Sequence, residues 1–172
     1  MEFIKKVGES MNAGLIEAIA KIVLLLLEKY NIKNFDENLV LGMIATESGF
    51  VCNAESPYAK GLMQISRSAM LTVNFIYKYQ FKDEDMLDPY KNIECGILYL
   101  DWLYRTLRER IGDSPFLDIY VIMSYNWGIG NVLRWLKTTE PNNALIDESV
   151  PSETKSHLLD TIWWYNYFRR RE

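Results

Sequence analysis

Along most of the chain apolar residues return every three or four positions, the spacing of one face of an α-helix. Leu15, Ile19, Ile22 and Leu26 form one such stripe, and Ile93, Ile97, Leu100, Tyr104, Leu107 and Ile111 form a longer one. Gly112 follows the longer stripe and predicts its end. The segment "DSPFLDIYVIMSYN" predicts a helix with Ser114 as N-cap and Pro115 at its first position. It closes at "WGIGN", where Gly128 and Gly130 permit a tight turn. A last helix is expected from Pro151 through "VPSETKSHLLDTIWWYNYF". Another is expected over Asp36 to Ser48, with Asn34 and Glu37 forming a near capping box and Gly49 ending it. No alternating strand of useful length is present, and "ESPYAKGLMQIS" offers at most a β-turn or a tiny hairpin. The expected fold is a single, mostly α domain of about seven to eight helices. Residues 1–35 supply an N-terminal helix packed on a core of residues 36–172.

One polar residue breaks the pattern. Val40, Met43 and Ile44 define an apolar face, and Glu47 falls four residues after Met43 and three after Ile44, on that same face. Burial disfavours a charged carboxylate. A carboxyl group that keeps its proton can protonate a leaving group. The competing reading is an ordinary helix-end glutamate, half exposed and paired with a lysine. Downstream, Gly61 allows close backbone approach, Met63 is placed to pack under a sugar ring, and the Gln64 amide both donates and accepts. Taken singly, these read equally well as a turn, a core residue and a surface amide.

Composition narrows the class. The chain has 172 residues and is 49% hydrophobic and 13% aromatic, enough for a packed core. A net charge of −4 disfavours nucleic acid as the main partner. The basic run "RRRE" reads as a solvated end. The apolar stretch "AGLIEAIAKIVLLLLEKY" is interrupted by Glu17, Lys21 and Glu28 and falls short of the ~20 apolar residues a membrane span needs. "MEFIKKVGES" fits a signal peptide poorly. Cys52 and Cys95 lack metal-ligand spacing and read as buried free thiols. His157 reads as a surface residue, and no metal or cofactor is expected.

Four motifs in order, "ESGF…AESPYAKGLMQIS", "NIECGILYL", "SYNWGIGNV" and "VPSET", resemble the soluble lytic transglycosylase family, which cleaves peptidoglycan and is related to goose-type lysozyme. The resemblance spans Leu39 to Tyr167 and implies a lysozyme-like domain with a groove for glycan strands. It assigns Glu47 as the catalytic acid and Tyr125 as the tyrosine whose hydroxyl reaches toward that acid. Ser48, Ser56, Met63, Gln64, Asn126 and Glu153 match groove and substrate-binding positions. Tyr58 stands where a glycine is usual, Trp127 replaces an alanine, and "ISRSA" replaces "MPxTA". Both aromatics read as sugar-stacking faces or as core packing.

The resemblance also implies a mechanism. Glycosidases ordinarily use two carboxylates. Here the acids after Glu47 are Glu55 and then Asp83, with no aspartate in the segment leading to "GLMQ". A lytic transglycosylase needs no positioned water, because the muramyl 6-hydroxyl attacks its own anomeric carbon. The implied activity is cleavage between N-acetylmuramic acid and N-acetylglucosamine to leave 1,6-anhydro ends. A hydrolytic muramidase and an inactive glycan-binding domain are the alternatives. The implied partner is peptidoglycan, met by a monomer at the cell wall. With no clear export signal, the reading leans to a phage-type or specially delivered enzyme, or to a mature form.

Overall fold

The computed structural model describes residues 13–138 and 144–171. The start read above against a signal peptide, and the last residue of "RRRE", lie outside the described residues. Within them the chain forms seven α-helices and one two-stranded sheet. In chain order these are α1 (Ala13–Lys29), α2 (Glu37–Ser48), β1 (Ala59–Lys60), β2 (Ile65–Ser66), α3 (Arg67–Tyr77), a 3₁₀ turn (Asp83–Leu87), α4 (Pro89–Ile111), α5 (Leu117–Trp127), α6 (Ile129–Trp135) and α7 (Ser152–Arg169). The expected mostly α architecture is present, and the weak hairpin signal is a real one: Ala59 pairs with Ser66 and Lys60 with Ile65, antiparallel.

The long helix α4 is the axis of the domain. Every residue from Asn92 to Leu98 is buried, which happens only when other elements wrap a helix on all sides. Helices α1, α3 and α5 pack around it, with the 3₁₀ turn and the hairpin across its N-terminal half. The stripe on α1 is Ile19, Val23, Leu26 and Leu27; Leu15 is exposed and Ile22 only partly covered, so the buried face is rotated from the one expected. Asp36, not Asn34, caps α2, its carboxylate accepting from the Leu39 amide at 3.0 Å. Asn34 is drawn away by α4, bonding Asp101 and Arg108 through its amide. Helix α5 begins at Leu117, because Ser114 spends its hydroxyl on the Phe116 amide in a preceding turn. Gly49 and Gly112 end α2 and α4 as expected.

Two contacts position the site. Gly42 lets the backbone of α7 lie against α2: a Cβ there would stand 3.0 Å from the Tyr165 nitrogen and 3.2 Å from the Thr161 carbonyl. One turn along, the Thr161 hydroxyl donates to that of Thr46 at 3.2 Å. The second contact is Asn92, fully buried on α4. It accepts from the Met63 amide and donates to the Lys60 and Met86 carbonyls, each at 2.8 Å. Gly61, with φ of +76°, passes so close that any Cβ would collide with the Asn92 amide and the Met86 carbonyl. The hairpin is thereby pinned to the central helix by backbone groups that would otherwise be buried unpaired.

Candidate functional site

The end of α2, the hairpin, the start of α3 and the α5–α6 corner enclose a cleft of about 390 Å³. Glu47, Tyr58, Gln64, Tyr99, Tyr125, Asn126, Trp127 and Glu153 line it, with Ser66, Ser68 and small residues between them. The lining is thus aromatic faces, hydroxyls, amides and two carboxylates, with no cationic side chain among the described residues. Seven of the ten expected site residues meet here: Glu47, Tyr58, Gln64, Tyr125, Asn126, Trp127 and Glu153.

Three do not present side chains to the cleft. Met63 is fully buried, its sulfur filling the space left by Gly96, so it cannot lie under a sugar ring. Its contribution is its carbonyl, which accepts from the Tyr125 hydroxyl at 2.7 Å. Ser48 donates to the Leu62 carbonyl at 2.7 Å and to Ile44 at 3.2 Å, tying the end of α2 to the hairpin. Ser56 accepts from the Tyr58 and Ala59 amides and shapes the turn that carries Tyr58. All three hydroxyl and thioether groups are consumed by the frame that holds the lining residues.

Glu47 sits where the apolar stripe predicts, its side chain only 15% exposed. The surprise is its partner. His157 is buried on α7, not on the surface, and its Nε2 lies 2.6 Å from Glu47 Oε1. The antiparallel register of α2 and α7, read from Gly42 facing Tyr165 and Thr46 facing Thr161, brings the two together. The signal was present in the sequence. Thr154, His157, Leu158 and Thr161 are all buried at helical spacing, but two threonines and a histidine do not look like a core stripe.

Tyr125 gives its proton to the Met63 carbonyl rather than to Glu47. Burial, and then the neighbouring charge of Glu47, push its hydroxyl well above the usual phenol range, so it remains an O–H donor. Tyr99, absent from the sequence reading, packs edge-on against Tyr125 at 5.5 Å and is also held as a phenol by burial. Gln64 has left-handed backbone, φ of +45°, and both amide protons are used on the Ala54 and Gly61 carbonyls. Its amide oxygen is what it has left for a ligand. Asn126 accepts from the Thr154 hydroxyl at 2.8 Å, linking α5 to the start of α7. Glu153 is exposed in the first turn of α7, and Tyr58, 84% exposed, stands at the rim. The cysteines are both free; Cys95 is buried, whereas Cys52 is only partly so.

A model of the "Transglycosylase SLT domain" matches residues 25–146, well over half of the chain. The chain belongs to the transglycosylase SLT domain family. It is similar to membrane-bound lytic murein transglycosylase C of Edwardsiella ictaluri, 34% identical over 116 residues that make up 62% of this chain and 30% of that protein. The protein of the same name from Yersinia enterocolitica is 31% identical over 139 residues, 73% of this chain and 36% of its own length. Among solved structures, lytic transglycosylase Slt of Pseudomonas aeruginosa superposes with a TM-score of 0.72 at 18% identity, covering 88% of this chain and 24% of that one. The 70 kDa soluble lytic transglycosylase of Escherichia coli gives 0.64 at 26% identity over 84% of this chain and 24% of its own. This SLT chain therefore has the fold of those enzymes, and spans about a third of the curated relatives and a quarter of the solved chains. The relatives named are bacterial, and they lend the phage-type setting no support. No described helix is long and apolar enough to cross a membrane.

Proposed function

We propose that the chain is a peptidoglycan lytic transglycosylase that cleaves the bond from N-acetylmuramic acid to N-acetylglucosamine and leaves a 1,6-anhydro end. The observation that carries this reading is the placement of Glu47: a carboxyl group with its side chain only 15% exposed, in a cleft lined otherwise mostly by aromatic rings, hydroxyls and amides suited to a sugar. Membership of the family supports it.

In this mechanism Glu47 gives its proton to the glycosidic oxygen as the C1–O bond breaks, and the muramyl acetamide stabilises the cation that develops. The carboxylate then takes the proton of the 6-hydroxyl as that oxygen closes on C1. One group serves first as acid and then as base, and the intramolecular nucleophile supplies the proximity that a positioned water would otherwise need. Tyr125 shapes the pocket wall beside Glu47 and holds the hairpin through Met63. Tyr58, Gln64, Asn126 and Trp127 are the sugar contacts.

One observation favours a second reading. Glu153 also lines the cleft, and a second carboxylate is what a hydrolase would use to activate water. Mass spectrometry of digested peptidoglycan separates the two. Transglycosylation gives muropeptides lighter by one water than the hydrolytic products, and only the hydrolase loses its product when Glu153→Gln is made. Glu47→Gln should lower cleavage by roughly a thousandfold or more, with an unchanged circular dichroism spectrum. Clearing of cell walls at the wild-type rate by that variant ends both enzyme readings.

A further inference from the structure

His157 is the chain's one histidine. It has no place in the mechanism above, yet its Nε2 lies 2.6 Å from the oxygen of the acid. It is 9% exposed and is not among the residues lining the cleft, so it stands behind Glu47, on the side away from substrate. Its other nitrogen, Nδ1, is buried with no hydrogen-bond partner among the described residues. That last fact favours a proton on Nε2 alone. An imidazolium, or the tautomer with the proton on Nδ1, would bury an N–H with no acceptor. The Nε2–H tautomer leaves only a bare lone pair there.

We propose that His157 is a positioning residue that donates Nε2–H to Glu47 Oε1 and so reserves Oε2 for the substrate. This rests on the reading of Glu47 as the acid. If His157 were instead the acceptor, the carboxyl proton would sit on Oε1, facing α7 and useless to a glycosidic oxygen. With His157 as donor, the carboxyl proton resides on Oε2 and points into the cleft. The proton leaves Oε2 for the leaving oxygen and returns to Oε2 from the 6-hydroxyl; His157 neither gains nor loses one. The bond N–H to Oε1 changes in character as this happens. It is neutral while Glu47 is protonated and charge-assisted once Glu47 is ionised, so it strengthens as the transfer proceeds. The same bond fixes the rotation of the carboxyl group, which Thr46, bonded to Thr161 on the same pair of helices, keeps in register.

Two measurements test this. Because the chain has one histidine, a long-range proton–nitrogen correlation spectrum of the uniformly ¹⁵N-labelled protein shows a single imidazole. The expected pattern at neutral pH is a protonated Nε2 and a bare Nδ1, with the Nε2 signal displaced in Glu47→Ala. A doubly protonated ring, a proton on Nδ1, or no response to Glu47→Ala overturns the proposal. The second measurement is kinetic, on soluble glycan strands. His157→Leu should lower kcat roughly 10- to 100-fold with KM held within about twofold, while His157→Gln, whose amide can still donate, should recover most of kcat. Full activity in the leucine variant, or equal loss in both, overturns it. The spectrum needs no substrate and no folded leucine variant. An inactive wild-type chain would therefore sink the transglycosylase reading while the pairing was still decided.

Discussion

At the scale of single residues, a buried acid is not by itself a mark of catalysis. The chain has two. Glu94 is 5% exposed near the start of α4, but Lys29 donates to it at 2.7 Å and the Tyr30 hydroxyl at 2.5 Å, and it lies away from the cleft. Its charge is matched on the spot, and its effect is to dock α1 on α4. Glu47 differs in having a cleft on one side and a histidine on the other. Tyr58 poses the reverse problem, an aromatic ring 84% exposed with its backbone fixed by Ser56. A ring held out over a cleft has little to lose in the fold and a flat face to offer a sugar. Tyr58→Ala should therefore leave the melting temperature unchanged within about a degree and raise KM roughly three- to tenfold, the scale of ~1 kcal/mol of lost stacking. A kinetic assay with thermal melting checks both halves. Glu47, Tyr58 and Trp127 were legible in the sequence because each violates an expectation. His157 was not, because its place on a buried stripe is masked by the polar Thr154 and Thr161, and its partner lies 110 positions away.

At the scale of elements, the site depends on how closely α2 and α7 approach. Gly42 permits that approach, and neither its φ nor its place in mid-helix announces it. A methyl at this position meets backbone of α7 on both sides, at 3.0 and 3.2 Å, and backbone cannot swing aside as a side chain would. Gly42→Ala should cost about 1–3 kcal/mol by overpacking, seen as a lower midpoint in urea. It should also lower kcat, because a shift of α7 by a few tenths of an ångström lengthens the bond from His157 to Glu47. Ala at Gly130, with open space around it, is the control. The element boundaries illustrate why local signals were only partly sufficient. Capping choices are settled by competition: Asn34 had a capping side chain but was claimed by Asp101 and Arg108, leaving Asp36 to cap α2. Hydrophobic period found the helices; tertiary partners chose their ends.

At the scale of the whole molecule, α1, α2, α4, α5 and α7 followed from periodicity and turn residues, α3 and α6 were not singled out, and the cleft followed from motif order. What stayed hidden was the frame. Met63, Ser48 and Ser56 read as substrate contacts in the motifs, but Met63 and Ser56 hold Tyr125 and Tyr58, and Ser48 ties the end of α2 to the hairpin, because polar groups near a cleft are shared between ligand and scaffold and sequence does not say which. The scaffold converges on α4, where Asn92, Glu94, Cys95 and Gly96 are buried in one turn. That concentration gives a direct probe of global unfolding. Burial, aided by the charge of Glu94, pushes the Cys95 thiol up to about 12, so in the folded state it is both covered and protonated. Cys52, on the loop after α2, is only partly covered. At pH 8 a thiol reagent should label Cys52 first, and Cys95 only through opening of the α4 core. The Cys95 rate, followed in Cys52→Ser, should rise with urea at the slope of global unfolding. In Asn92→Ala, which strands the Met63 amide and the Met86 carbonyl in the core and should lose about 2–3 kcal/mol, it should rise roughly 30- to 150-fold. Labelling of Cys95 as fast as Cys52 in the native protein, or a rate indifferent to Asn92→Ala, would show that the core around α4 opens locally and that the cleft is hung on something other than this helix.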